Sequence, residues 1–211
     1  MNIRYLGHSC FLISGGVKVV TDPFSDIGYK MERVSADFCL ISHGHFDHNA
    51  ASNVSGATVI DGASAQLGKD IFLERIKTFH DDRNGCFRGV NWASAFTLDG
   101  VRFCHLGDIG ERFSKETADK FKGTEVLFIP VGGNYTIDCK TAKLFTDHIS
   151  PKIVVPMHYK TPRSKIDISA VDGFKSFYKS IISVNDSFEF DSSTLLNVTK
   201  TNVLTFDSSR F

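Results

Sequence analysis

The chain has 211 residues, 42% hydrophobic and 23% charged, which suits one globular α/β domain spanning residues 1–211. Lysine plus arginine (24) equals aspartate plus glutamate (24), so no electrostatic footprint for nucleic acid is present. No apolar run approaches the roughly 20 residues that span a bilayer, and the N-terminus lacks a secretory signal pattern.

The five cysteines, Cys10, Cys39, Cys86, Cys104 and Cys139, are scattered without a C-x-x-C spacing, which is expected of a reduced, cytoplasmic protein. In chain order, short β-branched and apolar runs predict strands over 2–6, 10–14 and 17–21, with Gly15-Gly16 as a turn. Buried-strand sequence over 37–42 leads into a histidine-rich loop, and strands over 58–61 and 76–80 follow. Asp99-Gly100 predicts a hairpin between strands 91–98 and 101–106. Ser114 is expected to cap a helix over 115–121 and Asp138 one through 149, which Pro151 ends. Strands over 125–131 and 153–157, a helix from Ser169 to about Ser180, and tail strands over 187–190 and 203–206 complete the reading. Two stretches of strands with interspersed helices predict two packed sheets covered by helices. The nineteen phenylalanines read as core.

The informative segment is His43-Gly44-His45-Phe46-Asp47-His48. His43 and His45 are two apart, as on one face of an extended segment, whereas Asp47 and His48 are adjacent and can point elsewhere from a turn. Imidazole suits zinc, iron or manganese, and carboxylate adds a hard oxygen ligand. A dinuclear metal site is the expected reading. Three more ligand-type residues each follow a strand-like run: His80, Asp108 and His158. A site at strand ends is held rigidly.

In this order, Thr21-Asp22-Pro23, His43-x-His45-x-Asp47-His48, His80, Gly107-Asp108 and Met157-His158-Tyr159 resemble the metallo-β-lactamase superfamily over most of the chain. Gly7-His8-Ser9-Cys10-Phe11, His105-Leu106-Gly107-Asp108 and Gly132-Gly133-Asn134-Tyr135-Thr136 are similar to its L-ascorbate-6-phosphate lactonase-like branch. The resemblance implies a four-layer αββα sandwich with the site at one edge of the sheets. It implies two divalent ions, zinc first and manganese or iron as alternatives. His43, His45 and His80 would surround one ion, with Asp47, His48 and His158 around the second and Asp108 bridging. Asp22 would orient the ligand loop, and His8, His105 and Tyr135 would lie close to the ions or brace the loops. Asp81 and Asp82 are further acidic candidates beside His80.

The expected activity is attack of a metal-activated hydroxide on a small ester, lactone or phosphoester, with Asp47 as the catalytic side chain that handles the proton. Phosphodiesterase or nuclease chemistry, and a diiron redox reaction on the same fold, are the alternatives. Phosphate-binding glycine loops and a G-x-S-x-G nucleophile elbow are lacking. Arg88, Lys160 and Arg163 are minor candidates for an anionic substrate, and His148 beside Asp147 reads as solvated. The partner expected is a small molecule, not nucleic acid or membrane; homo-oligomerisation stays open.

Overall fold

In the first sheet alternate residues serve two different cores, which is what a strand covered on both faces requires. Ile3, Tyr5, Phe11, Ile13, Val19 and Leu40 point between the sheets, whereas Leu6, Cys10, Val20, Cys39 and Ile41 join an outer cluster with Phe24, Tyr29 and Met31. The structure, a computed structural model, describes residues 1–63 and 71–211. Among these the first sheet runs Ser187–Glu189, Asn2–Gly7, Cys10–Ser14, Lys18–Thr21, Phe38–Leu40 and Thr58–Ile60 in spatial order. The second runs Ile181–Val184, Asn202–Phe206, Ile153–Met157, Val126–Pro130, Val101–His105, Val90–Leu98 and Leu73–Phe79.

The two sheets face each other through aromatic rings. Phe11 and Phe128 lie 4.6 Å apart between centroids, and Tyr5 and Phe206 lie 5.7 Å apart. Val126–Pro130 and Ile153–Met157 are buried at every position, as expected of parallel strands covered on both faces. Helix Cys139–Ile149 covers the outside of the second sheet with Ala142, Phe145 and Ile149. Its N-terminus is capped by Asp138 Oδ1, which accepts the Thr141 N–H at 2.8 Å. Helix Lys115–Asp119 is capped by Ser114, as the sequence predicts. The fold is the α/β four-layer sandwich, with unequal outer layers. Over the first sheet, the described cover is the segment of Phe24, Ile27, Tyr29 and Met31, joined by a single 3-10 turn at Ala51–Asn53.

At the end of the sheets away from the histidines, two hairpin turns meet. Asp99 (φ 48°) and Gly100 (φ 80°) both take the left-handed backbone that a two-residue turn needs. The Asp99 carboxylate accepts the Gly16 N–H at 2.9 Å from the other sheet's turn.

Three expectations need correction. The helix from Ser169 to about Ser180 is a single turn, Asp172–Lys175. The Ser169 N–H is held by the Gly132 carbonyl at 2.8 Å, and no side chain caps the turn. Strand Ile181–Val184 and helix Ser192–Leu196 lie in a tail read only as two strands. Phe46, Phe72 and Phe87 are exposed rather than core.

Candidate metal centre

The parallel strands deliver their carboxyl ends to one edge, where open α/β sheets hold their ligands. Asp22 follows Lys18–Thr21, and Ser42-His43 follows Phe38–Leu40 by one residue. From the second sheet, His80 follows Leu73–Phe79, His158 follows Ile153–Met157, and Asp108 lies just beyond Val101–His105. Three of the site residues, His8 (φ 53°), Asp22 (φ 39°) and His158 (φ 51°), occupy the left-handed region. Non-glycine residues there store backbone strain, of the kind that clusters at functional sites.

The donor atoms converge on one carboxylate oxygen. Asp108 Oδ2 lies 3.1 Å from His48 Nε2, 3.2 Å from His158 Nε2, 3.4 Å from His80 Nε2 and 3.9 Å from His43 Nε2. His43, His45 and His80 have ligand atoms close enough to share an ion, and so do His8, Asp47, His48 and His158. His45 Nδ1 is 3.0 Å from His43 Nε2.

The tautomers follow from the bonds behind the ligands. Ser42 Oγ donates its only proton to Asp22 Oδ2 at 2.7 Å, so His43 Nδ1–H must donate to Ser42 Oγ at 2.9 Å. His48 Nδ1 bonds Asp22 Oδ2 at 2.9 Å. Both rings therefore turn Nε2 towards Asp108, the orientation that a carboxylate behind a ligating imidazole enforces. Asp22 Oδ1 also takes the Ser42 N–H at 2.7 Å, fixing the start of the loop.

Burial pushes the Asp22 carboxyl up, but His48, His105 and His43 outweigh it and hold the group down to about 2. Burial, reinforced by His48, pushes His43 down to about 3. Burial and the neighbouring His158 bring His8 to about 4. His48 goes up: burial opposes its charge, and the carboxylates of Asp108, Asp22 and Asp47 overcome burial. Asp108 is held well below the usual range; burial resists this, and His158 and His48 outweigh it.

These observations fit a metal. Asp22, Asp47 and Asp108 converge on buried imidazoles, and these carboxylates raise the affinity of His48 for a proton. Buried His48 Nε2 and Asp108 Oδ1 have no hydrogen-bond partner among the described residues. A divalent ion in place of that proton would satisfy both.

The remaining candidates separate clearly. His105 receives the Gly107 N–H on Nδ1 at 3.2 Å and donates from Nε2 to Ser9 O at 2.9 Å, bracing one sheet against the other. His8 belongs with Asp47, His48 and His158. Tyr135 stands at the cleft wall. Asp81 turns away from the ligands: its oxygens accept the N–H groups of Arg83, Gly85, Phe87 and Arg88 at 2.8–2.9 Å. Burial opposes its charge, and those N–H groups hold it down to about 2. Asp82 pairs with Arg112. Lys160 braces the carbonyls of Ser164 and Ile166, and Arg163 bonds the Arg210 carbonyl. His148 bonds Asp119 at 2.7 Å rather than being simply solvated.

Sequence reading missed the supports. Asn91 takes the Asp108 N–H on Oδ1 at 2.8 Å and donates to Thr78 Oγ1 and the Leu106 carbonyl. Gly107 (φ 56°) passes so close that a Cβ there would sit 2.3 Å from Asn91 Oδ1. Arg75 bonds the Ile41 carbonyl and Ser94 Oγ, anchoring the loop from the second sheet. Ser42, adjacent to the histidine motif, and Gly107, adjacent to Asp108, carry a local signal; Asn91 and Arg75 are distant in sequence.

A cleft of about 780 Å³ opens over the cluster, walled by Ile27, Phe46, Arg88, Tyr135, Lys165 and Ile166.

Residues 2–158 match a family model described as the β-lactamase superfamily domain. A UPF0173 metal-dependent hydrolase of Methanoregula boonei is 30% identical over 200 residues, covering 83% of this chain and 89% of that protein. One from Archaeoglobus fulgidus is 27% identical over 195 residues, covering 76% and 84%. A Thermotoga maritima crystal structure, assigned to the Zn-dependent hydrolases of the metallo-β-lactamase superfamily, superposes with a TM-score of 0.80. It has 31% identity and 97% of both chains covered. The chain accordingly belongs to the metallo-β-lactamase superfamily, among its UPF0173 metal-dependent hydrolases.

Proposed function

We propose that the protein hydrolyses a small ester, lactone or phosphoester at a two-metal site. The observation that carries this reading is the convergence of four imidazole Nε2 atoms within 3.1–3.9 Å of Asp108 Oδ2. His43, His45 and His80 would hold one ion, Asp47, His48 and His158 the other, and Asp108 would lie between them. The histidine-rich donor set favours zinc, with manganese or iron as alternatives. When bound, two such ions lower the pKa of water towards neutrality and take up charge on the substrate oxygen.

The protein's own residues supply orientation. Asp47 Oδ2 faces His8 at 3.3 Å and His48 at 3.6 Å, which leaves Oδ1 to orient the attacking water and receive its proton. Burial pushes the Asp47 carboxyl up, but His48 and His8 outweigh burial and keep it ionised. The cleft volume suits a small molecule. Phe46 and Ile166 offer apolar contact. Arg88 lies with its guanidinium 5.4 Å from the Tyr135 ring centre. Neither Arg88 nor Lys165 pairs with a carboxylate within 4 Å among the described residues. An anionic group on the substrate would have Arg88 and Lys165 to meet it, beside Asp26 and Asp167 on the same wall. The same cations favour the second reading, phosphodiester cleavage.

The test is turnover of a lactone, a thioester, a phosphodiester and a β-lactam by zinc-loaded protein, with chelator-treated protein as control. Chelator-sensitive turnover of the lactone or thioester is expected. Turnover of the phosphodiester alone would install the second reading. Silence across the panel with both ions bound would overturn the hydrolase of small esters.

A further inference from the structure

His8 has no place in the ligand scheme just given, yet its side chain is 1% exposed and aimed into the cluster. Its ring centroid is 4.3 Å from that of His158 and 5.2 Å from that of His48. Nε2 lies 3.3 Å from Asp47 Oδ2, and with the present ring and carboxylate orientations it makes no hydrogen bond among the described residues.

The backbone is built to put it there. Gly7 (φ 112°) and His8 (φ 53°) both take positive φ on the turn between strands Asn2–Gly7 and Cys10–Ser14, where the strand register shifts. A Cβ at Gly7 would lie 2.9 Å from the Tyr29 ring, so the turn is closely packed from outside. The His8 carbonyl accepts the His158 N–H at 3.2 Å and the Tyr5 hydroxyl proton at 3.3 Å. The turn is thus fastened to the strand end that carries His158.

We infer that His8 is a positioning residue for Asp47: its Nε2–H donates to Asp47 Oδ2 and fixes that carboxylate between the second metal position and the attacking water. Direct ligation by His8 is the competing role. Asp47, His48, His158 and Asp108 already give the second ion four protein donors, and a further imidazole would crowd the position that an open catalytic site keeps for water. Ligating carboxylates are, in turn, held by hydrogen bonds of this kind. The inference rests on the two-metal reading and adds an eighth residue to it.

The probe is zinc itself. Chelator-treated wild type, His8→Ala and His8→Gln are titrated against a chromophoric chelator, with thermal unfolding of the metal-free proteins as a check on folding. Glutamine is the informative variant, because its amide N–H can reach the position of imidazole Nε2 and donate, but it is a poor zinc ligand. Wild type should take two ions. His8→Ala should keep one affinity and lose about 10- to 100-fold in the other, and His8→Gln should recover most of that loss.

Two tight ions in His8→Ala would overturn the role of His8 while leaving the metal site intact. A His8→Gln protein as weak as His8→Ala, with an unchanged melting temperature, would make His8 a ligand instead. A wild type that binds no zinc would overturn the two-metal reading and this inference together.

Discussion

Asp22 ties the residue before the ligand motif to the motif's last histidine: one oxygen holds the Ser42 amide, the other Ser42 Oγ and His48 Nδ1. Asp22→Ala should leave both rings free to rotate and weaken zinc binding by about 10- to 100-fold, read by competition titration; unchanged affinity would remove Asp22 from the site. Asp47→Ala has a different signature. It should cut kcat by about 100-fold or more, in the range of general acid–base catalysis, with a much smaller change in substrate affinity. Steady-state kinetics and direct substrate binding separate the two, and an unaffected kcat would refute the role. At this scale the sequence pointed to side chains that the structure brings together wherever they were adjacent or followed strand-like runs. It was silent on Asn91 and Arg75, because a hydrogen bond from residue 91 to residue 108, or from 75 to 41, leaves no local pattern. His80 drew attention to Asp81, but the carboxylate serves the loop beside the ligand instead.

That loop is the clearest case at the scale of an element. Four backbone N–H groups on one carboxylate fold residues 81–89 into a compact turn, and the last of them belongs to Arg88. Asp81→Ala should release Arg88 from the cleft wall. If the substrate is anionic, KM rises several-fold while kcat holds; a loss confined to kcat would instead mean that His80 had moved. The short helix Ser192–Leu196 allows a cleaner test of capping. Hydrogen bonds from Ser193 and Thr194 hold the Asp191 carboxyl down to about 2, below the roughly 3.9 of a free aspartate. Its contribution to stability is therefore whole above pH 4 and disappears as the pH falls through 2. The Thr194 amide resonance should titrate near the lower value, and a midpoint near 4 would mean the cap is open. Caps and turn residues made Ser114, Asp138 and Asp99-Gly100 readable in advance. The segment after Ser169 defied the same reading because a long-range bond to the Gly132 carbonyl overrides its local preference.

Across the whole molecule, the candidate ligands come from both sheets, so the cluster is only as stable as the contact between them. Phe11→Ala, which empties a fully buried position against Phe128, should cost about 3–5 kcal/mol in urea unfolding of metal-free protein. A value under 1 kcal/mol would show that the sheets do not depend on that contact. Removing the ions should lower the melting temperature as well, because an ion that binds only the folded state stabilises it by mass action. The two-sheet architecture was legible because hydrophobic runs alternate with turns. The outer cover of the first sheet was not: Ile27, Tyr29 and Met31 alternate as strand positions do, yet no strand forms there, and with Phe24 they take their role from the cluster they fill.

The pairing of Asn2, Ile3 and Arg4 with Glu189, Phe188 and Ser187 bears on how the protein is made. Strand Asn2–Gly7 leaves the ribosome well before Ser187–Glu189 and waits through about 180 residues of synthesis for that neighbour. Until then its outer edge offers bare amide and carbonyl groups, a template for pairing with other nascent chains. His158 is likewise synthesised last among the candidate donors, well after His48, so the cluster around Asp108 assembles late. Until Ser187–Glu189 has emerged, that bare edge exposes the fold to misassembly on crowded polysomes.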